Sequence, residues 1–357
     1  EVLRQVADRN GLVCLLHEKP FAGVNGSGKH NNWSVAYGGV NLLNPGNDPH
    51  QNAIFLTTLC AVIEAVDKHA DLLRASVAAA GNDHRLGANE APPAVISIYL
   101  GDQLADVVEQ LEKGEPKSSK HGGTMKIGVD TLPPLPKDAT DRNRTSPFAF
   151  TGNKFEFRAP GSSVSCALPN TILNTVVAEA MDRIAAALEK AGVVGKNEPG
   201  KHTAAFHDTL QAILQDIVKT HKRIIFNGDG YTAGWLEEAA KRGLPNAPTT
   251  PEALKAFTRK ENVEVFEKAG VFTEREMKSR YEIAMEDYAT KVEIEGNTAL
   301  EIARTQILPA VRAEYLETLK AYNETDASDV KVAIDALHDE TAALGKGLVE
   351  LKAGIKA

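Results

Sequence analysis

A glycine-rich segment in the first forty residues has the composition of an anion-binding loop. The run from Gly23 to Ser34 reads GVNGSGKHNNWS and contains three glycines. Glycine lets the backbone approach an oxyanion closely, and successive N–H groups can then surround that anion. The sequence therefore predicts a loop that binds phosphate or carboxylate oxygens.

The loop sequence has two other interpretations. Gly23, Gly28 and Lys29 fit most of a nucleotide-binding P-loop, but His30 stands where that motif requires Ser or Thr. A P-loop also opens a helix, whereas the residues after His30 lead into a strand-like run. An Asn-Gly hairpin turn is the structural alternative. We favour an anion-binding loop that precedes a strand.

A second segment combines charged and aromatic residues in strict alternation. Lys154, Glu156 and Arg158 share one face of a strand by the period of two, and Phe155 and Phe157 share the other. The aromatic face should dock on a core. The charged face is either a solvated, salt-bridged surface or a metal-binding carboxylate between two cations that hold anions.

The elements that position these segments follow from hydrophobic periodicity. The pattern predicts a helix end over 1–10, a buried strand over 12–16, a strand over 33–37, a helix over 51–80, a strand over 94–100 and a helix over 101–113. From residue 169 onward the pattern predicts a nearly all-helical chain, with breaks near 192–202, 227–231 and 244–251. Strands followed by long helices indicate an α+β fold with a helical extension.

Composition excludes several classes of protein. The 357 residues carry a net charge of −8, which argues against a basic nucleic-acid surface. No apolar run is long enough for a membrane span. Three scattered cysteines fit a reducing compartment, and we expect a cytoplasmic protein. Because Glu1 is not Met and begins inside a helical pattern, we expect a piece of a longer polypeptide.

Four segments, in chain order, resemble motifs of the glutamine synthetase family. They are residues 25–34 (NGSGKHNNWS), 85–92 (RLGANEAP), 143–145 (NRT) and 156–158 (EFR). The runs HEKPF at 17–21 and FNGDGY at 226–231 resemble the type III, large bacterial form. The second of the four segments is similar to the flap that closes over the substrate in that family.

The resemblance implies a fold and a reaction. Residues 1–195 would be the C-terminal part of an antiparallel-sheet half-barrel catalytic domain, with an insertion at about 101–142, and residues 196–357 a helical type III region. The reaction would be ATP-dependent ligation of ammonia to L-glutamate through γ-glutamyl phosphate, with Mg²⁺ or Mn²⁺ bound and ATP as co-substrate. The partners would be glutamate, ammonia, ATP and further copies of the chain, in a dodecamer of two hexameric rings, with neither nucleic acid nor a membrane.

The resemblance also implies a role for individual residues. Position by position, these are metal binding for His30 and Glu156, glutamate binding for Asn25, Gly26, Arg85 and Arg158, nucleotide binding for Asn32, Ser34 and Lys154, and catalysis for Glu90 and Arg144.

The sequence departs from the common family pattern at two positions, because Asn32 replaces a frequent histidine and Ala149 replaces an arginine. The remaining metal-binding glutamates of the family lie upstream of the loop, so we expect the chain to be inactive by itself. Two alternatives stay open, a γ-glutamyl-amine ligase of the same superfamily and a catalytically inactive assembly or regulatory relative.

Overall fold

The computed structural model describes residues 1–88, 91–114, 124–125, 135–136, 145–194, 203–325 and 328–355. The chain forms two compact units, Glu1–Ala284 and Met285–Ala357. The predicted domain boundary between residues 195 and 196 lies outside the described residues and stays a prediction. Of the predicted insertion at about 101–142, little beyond its first helix is described.

Helices dominate the described residues. They are α1 Val2–Arg9, α2 Ala53–Lys68, α3 Ala70–Ala75, α4 Ala80–Arg85, α5 Gly101–Lys113, α6 Ala167–Lys190, α7 Ala204–His221, α8 Ala233–Lys241, α9 Thr250–Leu254, α10 Lys260–Lys268, α11 Glu274–Ile302, α12 Leu308–Thr325 and α13 Ser328–Gly354. Among them, none combines the length and the apolar composition that a membrane-spanning helix needs.

The strands are short. They are β1 Asn31–Trp33, β2 Ala36–Tyr37, β3 Val40–Asn41, β4 Ile98–Tyr99, β5 Thr124–Met125, β6 Leu135–Pro136, β7 Phe148–Phe150 and β8 Phe155–Phe157. The main sheet has the order β1-β8-β7-β4, and two further pairs are β2-β3 and β5-β6. Within the main sheet β4 runs parallel to β7, whereas β8 is antiparallel to both β1 and β7. The predicted α+β class is therefore confirmed, and the sheet itself is mixed.

Helix α2 lies at the centre of the first unit. Its sequence AIFLTTLCAVIEAVDK is apolar on nearly every side, and most of its residues are buried. A helix that is hydrophobic all round is expected in a protein interior. The side chain of Asn52 caps it by accepting a hydrogen bond from the N–H of Phe55. The ring of Phe55 then meets Phe150 of β7 edge-on, with 6.0 Å between ring centroids, so α2 supports the sheet.

The aromatic face of the sheet packs against this core. The rings of Phe148 and Phe155 stack at 4.6 Å, and Phe157 meets Phe148 edge-on at 5.9 Å. All three residues are fully buried. The predicted alternation in this segment is confirmed, and it turns the charged residues of β8 away from the core.

Several predicted elements differ from the structure, and the strand predicted over 33–37 is divided between β1 and β2. Residues 12–16 form no strand, and Leu12, Val13, Leu15 and Leu16 are exposed, so the predicted buried strand is wrong. A strand needs a partner for its backbone groups and a cover for its apolar face, and the described residues supply neither.

The predicted helix over 51–80 is also wrong as a single element, because it is divided into α2, α3 and the start of α4. The break after α2 falls at His69, whose Nδ1 is hydrogen-bonded to Oδ1 of the buried Asn262 at 3.0 Å. This tertiary contact has no signature in local periodicity. The helix predicted over 101–113 is confirmed as α5, and the helix predicted at the start is confirmed as α1.

The second unit has a small core. Leu300, Ala303 and Leu348 are buried together, and Leu344 packs against them. The chain passes from α11 to α12 through a π-helical segment, Ala303–Ile307. Most other residues of α12 and α13 are exposed.

Candidate functional site

The charged face of β8 is continued by its neighbour β1. Asn32 pairs with Glu156, and Trp33 pairs with Phe155. Residues that pair across antiparallel strands point to the same side of the sheet. Continuing this register by one residue in each direction gives three rungs on one face, His30 with Arg158, Asn32 with Glu156 and Ser34 with Lys154. The predicted metal-binding and nucleotide-binding residues therefore share a face.

The two predicted metal ligands, distant in sequence, lie close together in space. Nδ1 of His30 is 3.5 Å from Oε2 of Glu156, and their side chains are 60% and 19% exposed, respectively. Two ligand atoms that each lie about 2.1 Å from one cation are separated by about 3 to 4 Å, depending on the angle between them. The pair therefore has the spacing of two ligands of one ion, and its partial exposure leaves room for others.

A buried arginine completes this cluster. Nε and Nη2 of Arg158 donate to Oε2 of Glu156 at 3.2 and 3.1 Å. Partial burial and then the positive charge of Arg158 lower the pKa of His30, and the carboxylate of Glu156 opposes them. The imidazole is consequently neutral at neutral pH, which is the form that binds metal ions.

The described residues bring no third candidate ligand to His30 and Glu156. Among them, no group of three or more His, Cys, Asp and Glu side chains is placed to hold an ion together. Mg²⁺ prefers about six ligands, some of them water. His30 and Glu156 thus fit a divalent cation in spacing and chemistry, and they would form one side of its coordination shell.

Arg85 lies beneath the glycine-rich loop. Its Nη1 donates to Oδ1 of Asn82 at 3.1 Å and its Nη2 to the carbonyl of Arg158 at 3.0 Å. A methyl group added at Gly26 would come within 2.8 Å of the Arg85 side chain, and one at Gly28 would overlap its guanidinium. These two glycines are therefore required by the arginine below them, a reason that the loop sequence alone did not reveal.

The loop is held to the segment that follows β8. The N–H of Lys29 donates to the carbonyl of Pro160 at 2.9 Å, and its Nζ donates to the carbonyl of Val164 at 2.7 Å. Asn25, a predicted glutamate-binding residue, is exposed on the loop. The loop leads into β1 and not into a helix, as the sequence predicted when the P-loop was set aside.

The predicted nucleotide-binding residues lie at the accessible end of the same face. Asn32 and Ser34 are exposed and Lys154 is half-buried. Ala149, which stands where the family pattern has an arginine, pairs with Glu156 from the other side and is buried. The two predicted catalytic residues, Glu90 and Arg144, lie outside the described residues.

Residues 226–231, in the helical part of the chain, contact segments near the candidate site, and the sequence did not predict these contacts. Oγ1 of Thr145, the residue after Arg144, accepts a hydrogen bond from the N–H of Gly230 at 2.8 Å. Oδ1 of Asn227 accepts from the N–H of Leu100, at the start of α5. Both contacts come from the run FNGDGY at 226–231, whose sequence indicated family resemblance but no structural role.

Comparisons with known proteins identify relatives of the whole chain. Residues 209–325 match the model of the glutamine synthetase C-terminal domain. The chain is 49% identical over 324 residues to a type-3 glutamine synthetase of Dictyostelium discoideum, a match that covers 90% of the chain and 43% of that relative. It is 42% identical over 351 residues to a glutamine synthetase of Butyrivibrio fibrisolvens, covering 98% of the chain and 47% of the relative. A glutamine synthetase of Bacteroides fragilis is 42% identical over 313 residues, with 87% and 42% covered.

These matches define the class of protein. The chain belongs to the glutamine synthetase family. Its similarity to a type-3 enzyme extends over most of its residues. The chain spans less than half the length of the curated relatives that it matches.

Proposed function

We propose that this chain is the C-terminal part of a type III glutamine synthetase that joins ammonia to L-glutamate at the expense of ATP. The observation that carries the proposal is the 3.5 Å separation of His30 and Glu156 beside the glycine-rich loop. The two residues are far apart in the sequence, and His30 is largely exposed, so its position beside Glu156 adds little to the core of the fold.

The chemistry of the reaction requires neutralisation of negative charge. Glutamate, ATP and the acyl phosphate intermediate are all anions, and phosphoryl transfer depends on positioning and electrostatic stabilisation. A divalent cation held by His30 and Glu156 would supply such stabilisation. Arg158, which contacts Glu156, adds a fixed positive charge on the same face.

The substrate-binding residues would act in two groups. Asn25 and Gly26 of the loop would contact glutamate, and the guanidinium groups of Arg85 and Arg158 would hold its carboxylate oxygens. Asn32, Ser34 and Lys154 would contact ATP along the outer end of the β1 and β8 face. Glu90 and Arg144 are assigned, on resemblance, to ammonium binding and to the transferred phosphoryl group.

The finer architecture is part of the same proposal. The main sheet would belong to a half-barrel that is completed by polypeptide present in the longer relatives, and residues 196–357 would form the type III region. The exposed apolar side chains over residues 12–16 support this, because they offer a surface that further strands would cover. The enzyme would be cytoplasmic and would assemble into two hexameric rings.

The test uses the full-length enzyme of which this chain is proposed to be a part. Glutamine formation from glutamate, ammonia and ATP is measured over a range of Mg²⁺ concentrations for the unaltered enzyme and for His30→Ala and Glu156→Gln. Loss of a metal ligand should reduce activity by about a hundredfold or more. Glu189→Gln, an exposed glutamate on α6, serves as the control and should change nothing.

Unchanged turnover of Glu156→Gln at saturating Mg²⁺ would contradict the metal assignment. Replacing ammonia with small primary amines in the same assay separates the two ligase candidates. Faster turnover with an amine than with ammonia would identify the enzyme as a γ-glutamyl-amine ligase. An unaltered enzyme that turns over neither substrate would identify an inactive relative.

A further inference from the structure

A buried carboxylate below the glycine-rich loop has no role in the proposed chemistry. Glu18 is only 3% exposed, although it lies just before the glycine-rich loop and outside any helix or strand. A carboxylate is rarely buried without specific partners, because desolvation of its charge is costly. Its position therefore needs an explanation beyond packing.

The side chain of Glu18 joins the loop to the segment that follows β8. Its Oε1 accepts hydrogen bonds from the N–H of Ser163 at 2.7 Å and from Oγ of Ser163 at 2.5 Å. Its backbone carbonyl accepts a bond from the N–H of Ser27 in the loop at 2.7 Å. One residue thus connects two segments that are separated by more than a hundred positions in the chain.

Two glycines form the slot that admits this carboxylate. A methyl group added at Gly81 of α4 would lie 2.9 Å from Oε2 of Glu18, and one added at Gly161 would overlap the carboxylate. Any larger residue at either position would displace the Glu18 side chain. The carboxylate therefore fits this slot because Gly81 and Gly161 have no side chains that would occupy it.

The same carboxylate acts on Arg85 through its charge. Burial lowers the pKa of Arg85, and Glu18 is the foremost of the groups that oppose this effect. Arg85 in turn packs against Gly26 and Gly28 from below. Glu18 and Arg85 together support the part of the loop that, in the proposed function, contacts glutamate.

We propose that Glu18 is a positioning residue for the glutamate pocket, with a buried carboxylate that fixes the glycine-rich loop relative to Ser163 and Arg85. The inference rests on the proposed function, because the pocket is assigned through it. It predicts a defect that is specific for glutamate. The residues proposed to contact ATP lie at the outer end of β1 and β8, and the hydrogen bonds of Glu18 to Ser163 and Ser27 do not reach them.

The experiment compares steady-state kinetics of the full-length enzyme with Glu18→Ala, Glu18→Gln and Glu64→Ala. Glu64 is the matched control, since it is also a buried glutamate with hydrogen bonds to a distant partner, Arg183, but it lies on α2 away from the loop. Glu18→Ala should raise the KM for glutamate about tenfold and change the KM for ATP by less than about twofold. Glu18→Gln should restore most of the glutamate affinity, because its amide oxygen can accept both bonds from Ser163.

The control separates positioning from stability. Both alanine variants should melt at a lower temperature, while Glu64→Ala should retain the KM values of the unaltered enzyme. An unchanged KM for glutamate in folded Glu18→Ala, or an equal rise in both KM values, would overturn the inference.

A milder variant decides the question if Glu18→Ala does not fold. Ser163→Ala removes one of the two bonds from an accessible residue and should raise the KM for glutamate about two- to threefold. No change in that KM would overturn the inference. Activity of the unaltered enzyme is measured first, and its absence would reject the proposed function itself, so the two failures are distinguishable.

Discussion

Both units of the chain have exposed ion pairs along single helices, but among the described residues buried charged pairs occur in the first unit. In Glu1–Ala284, buried charged side chains join different helices. Glu64 of α2 bonds Arg183 of α6, and Arg74 of α3 bonds Asp83 of α4. In Met285–Ala357, the ion pairs within the described residues connect positions four apart on one exposed helix face, as Lys346 does with Glu350.

The difference indicates where the fold tolerates change. A charge buried without its partner destabilises a protein by several kcal/mol, whereas an exposed pair contributes about 0 to 1 kcal/mol. The candidate site belongs to the unit with buried charges, and it is built in the same way from Glu18, Arg85 and Arg158. Site geometry and stability are therefore linked in the first unit and are not linked in the helices of the second.

The three cysteines of the first unit differ in burial, so their thiol reactivity compares its interior with its periphery. Burial, followed by the charge of Glu64, raises the pKa of Cys60 to about 12. From an ordinary value of about 9, this lowers the thiolate fraction at pH 8 by about a thousandfold. Cys14 and Cys166 are only half-buried.

We therefore expect maleimide to label Cys14 and Cys166 in the native protein and Cys60 only after unfolding. Peptide mass spectrometry after a short exposure at pH 8 measures the three sites separately, and labelling in urea gives the reference. Equal labelling of all three thiols in the native protein would show that α2 is not the closed interior described above.

The buried pair of Arg74 should show a large effect on stability. Its Nη2 donates to Oδ1 of Asp83 at 2.9 Å and its Nε to the carbonyl of Ala247 at 2.8 Å. Arg74→Met leaves the Asp83 carboxylate and a carbonyl without this partner and should lower the free energy of unfolding by about 3 to 5 kcal/mol. Urea denaturation provides the measurement.

Arg259→Met is the matched control for this change. Arg259 pairs with Asp71, which lies on α3 like Arg74, but the side chain of Arg259 is 52% exposed. Its replacement should cost about 1 kcal/mol or less. If both variants lose the same stability, the distinction between buried and exposed pairs fails.

Local patterns in the sequence predicted the faces of elements more reliably than their partners. The alternation around Glu156 correctly placed its charge opposite the phenylalanines, because side-chain direction follows from the backbone period alone. The burial of Glu18 and Arg85 could not be predicted in this way. Both residue types usually lie at the surface, and here they are buried because distant glycines leave space for them.

The candidate site depended on ordered motifs, since no local pattern relates residue 30 to residue 156. The exposed segment at 12–16 shows the converse limit. Its apolar composition predicted a buried strand, and the prediction was wrong because a strand forms only where another strand supplies hydrogen bonds. Both cases show that tertiary pairing carries information that periodicity does not contain.

A smaller effect is expected at the start of α11. Oγ1 of Thr273 accepts from the N–H of Glu276 at 3.3 Å, and the Glu276 carboxylate accepts from the N–H of Thr273 at 2.8 Å. This reciprocal arrangement is a capping box. Thr273→Ala should lower stability by about 1 kcal/mol at neutral pH.

The pH dependence of this cap follows from Glu276. The hydrogen bond from the backbone of Thr273, and then that from its side chain, lower the pKa of Glu276 below its usual 4.5. The contribution of the carboxylate is therefore present above that value and is lost as the pH falls through the lowered pKa. The difference between Thr273→Ala and the unaltered protein should therefore be constant above pH 4.5 and should narrow as the pH falls below 4.5 through the lowered pKa of Glu276. Thr298→Ala, within α11, is the control and should show no such narrowing.

The smallest effect is expected in the second unit. Nζ of Lys346 lies 3.9 Å from Oε1 of Glu350, and the two side chains are 80% and 69% exposed. Lysine also precedes glutamate here, which is the less favourable order along a helix. A double-mutant cycle of Lys346→Ala and Glu350→Ala should therefore give a coupling energy of about 0.3 kcal/mol or less, which decreases further in 1 M salt. A coupling as large as that of a buried pair would mean that α13 packs against a surface in solution, and the contrast between the two units would then no longer hold.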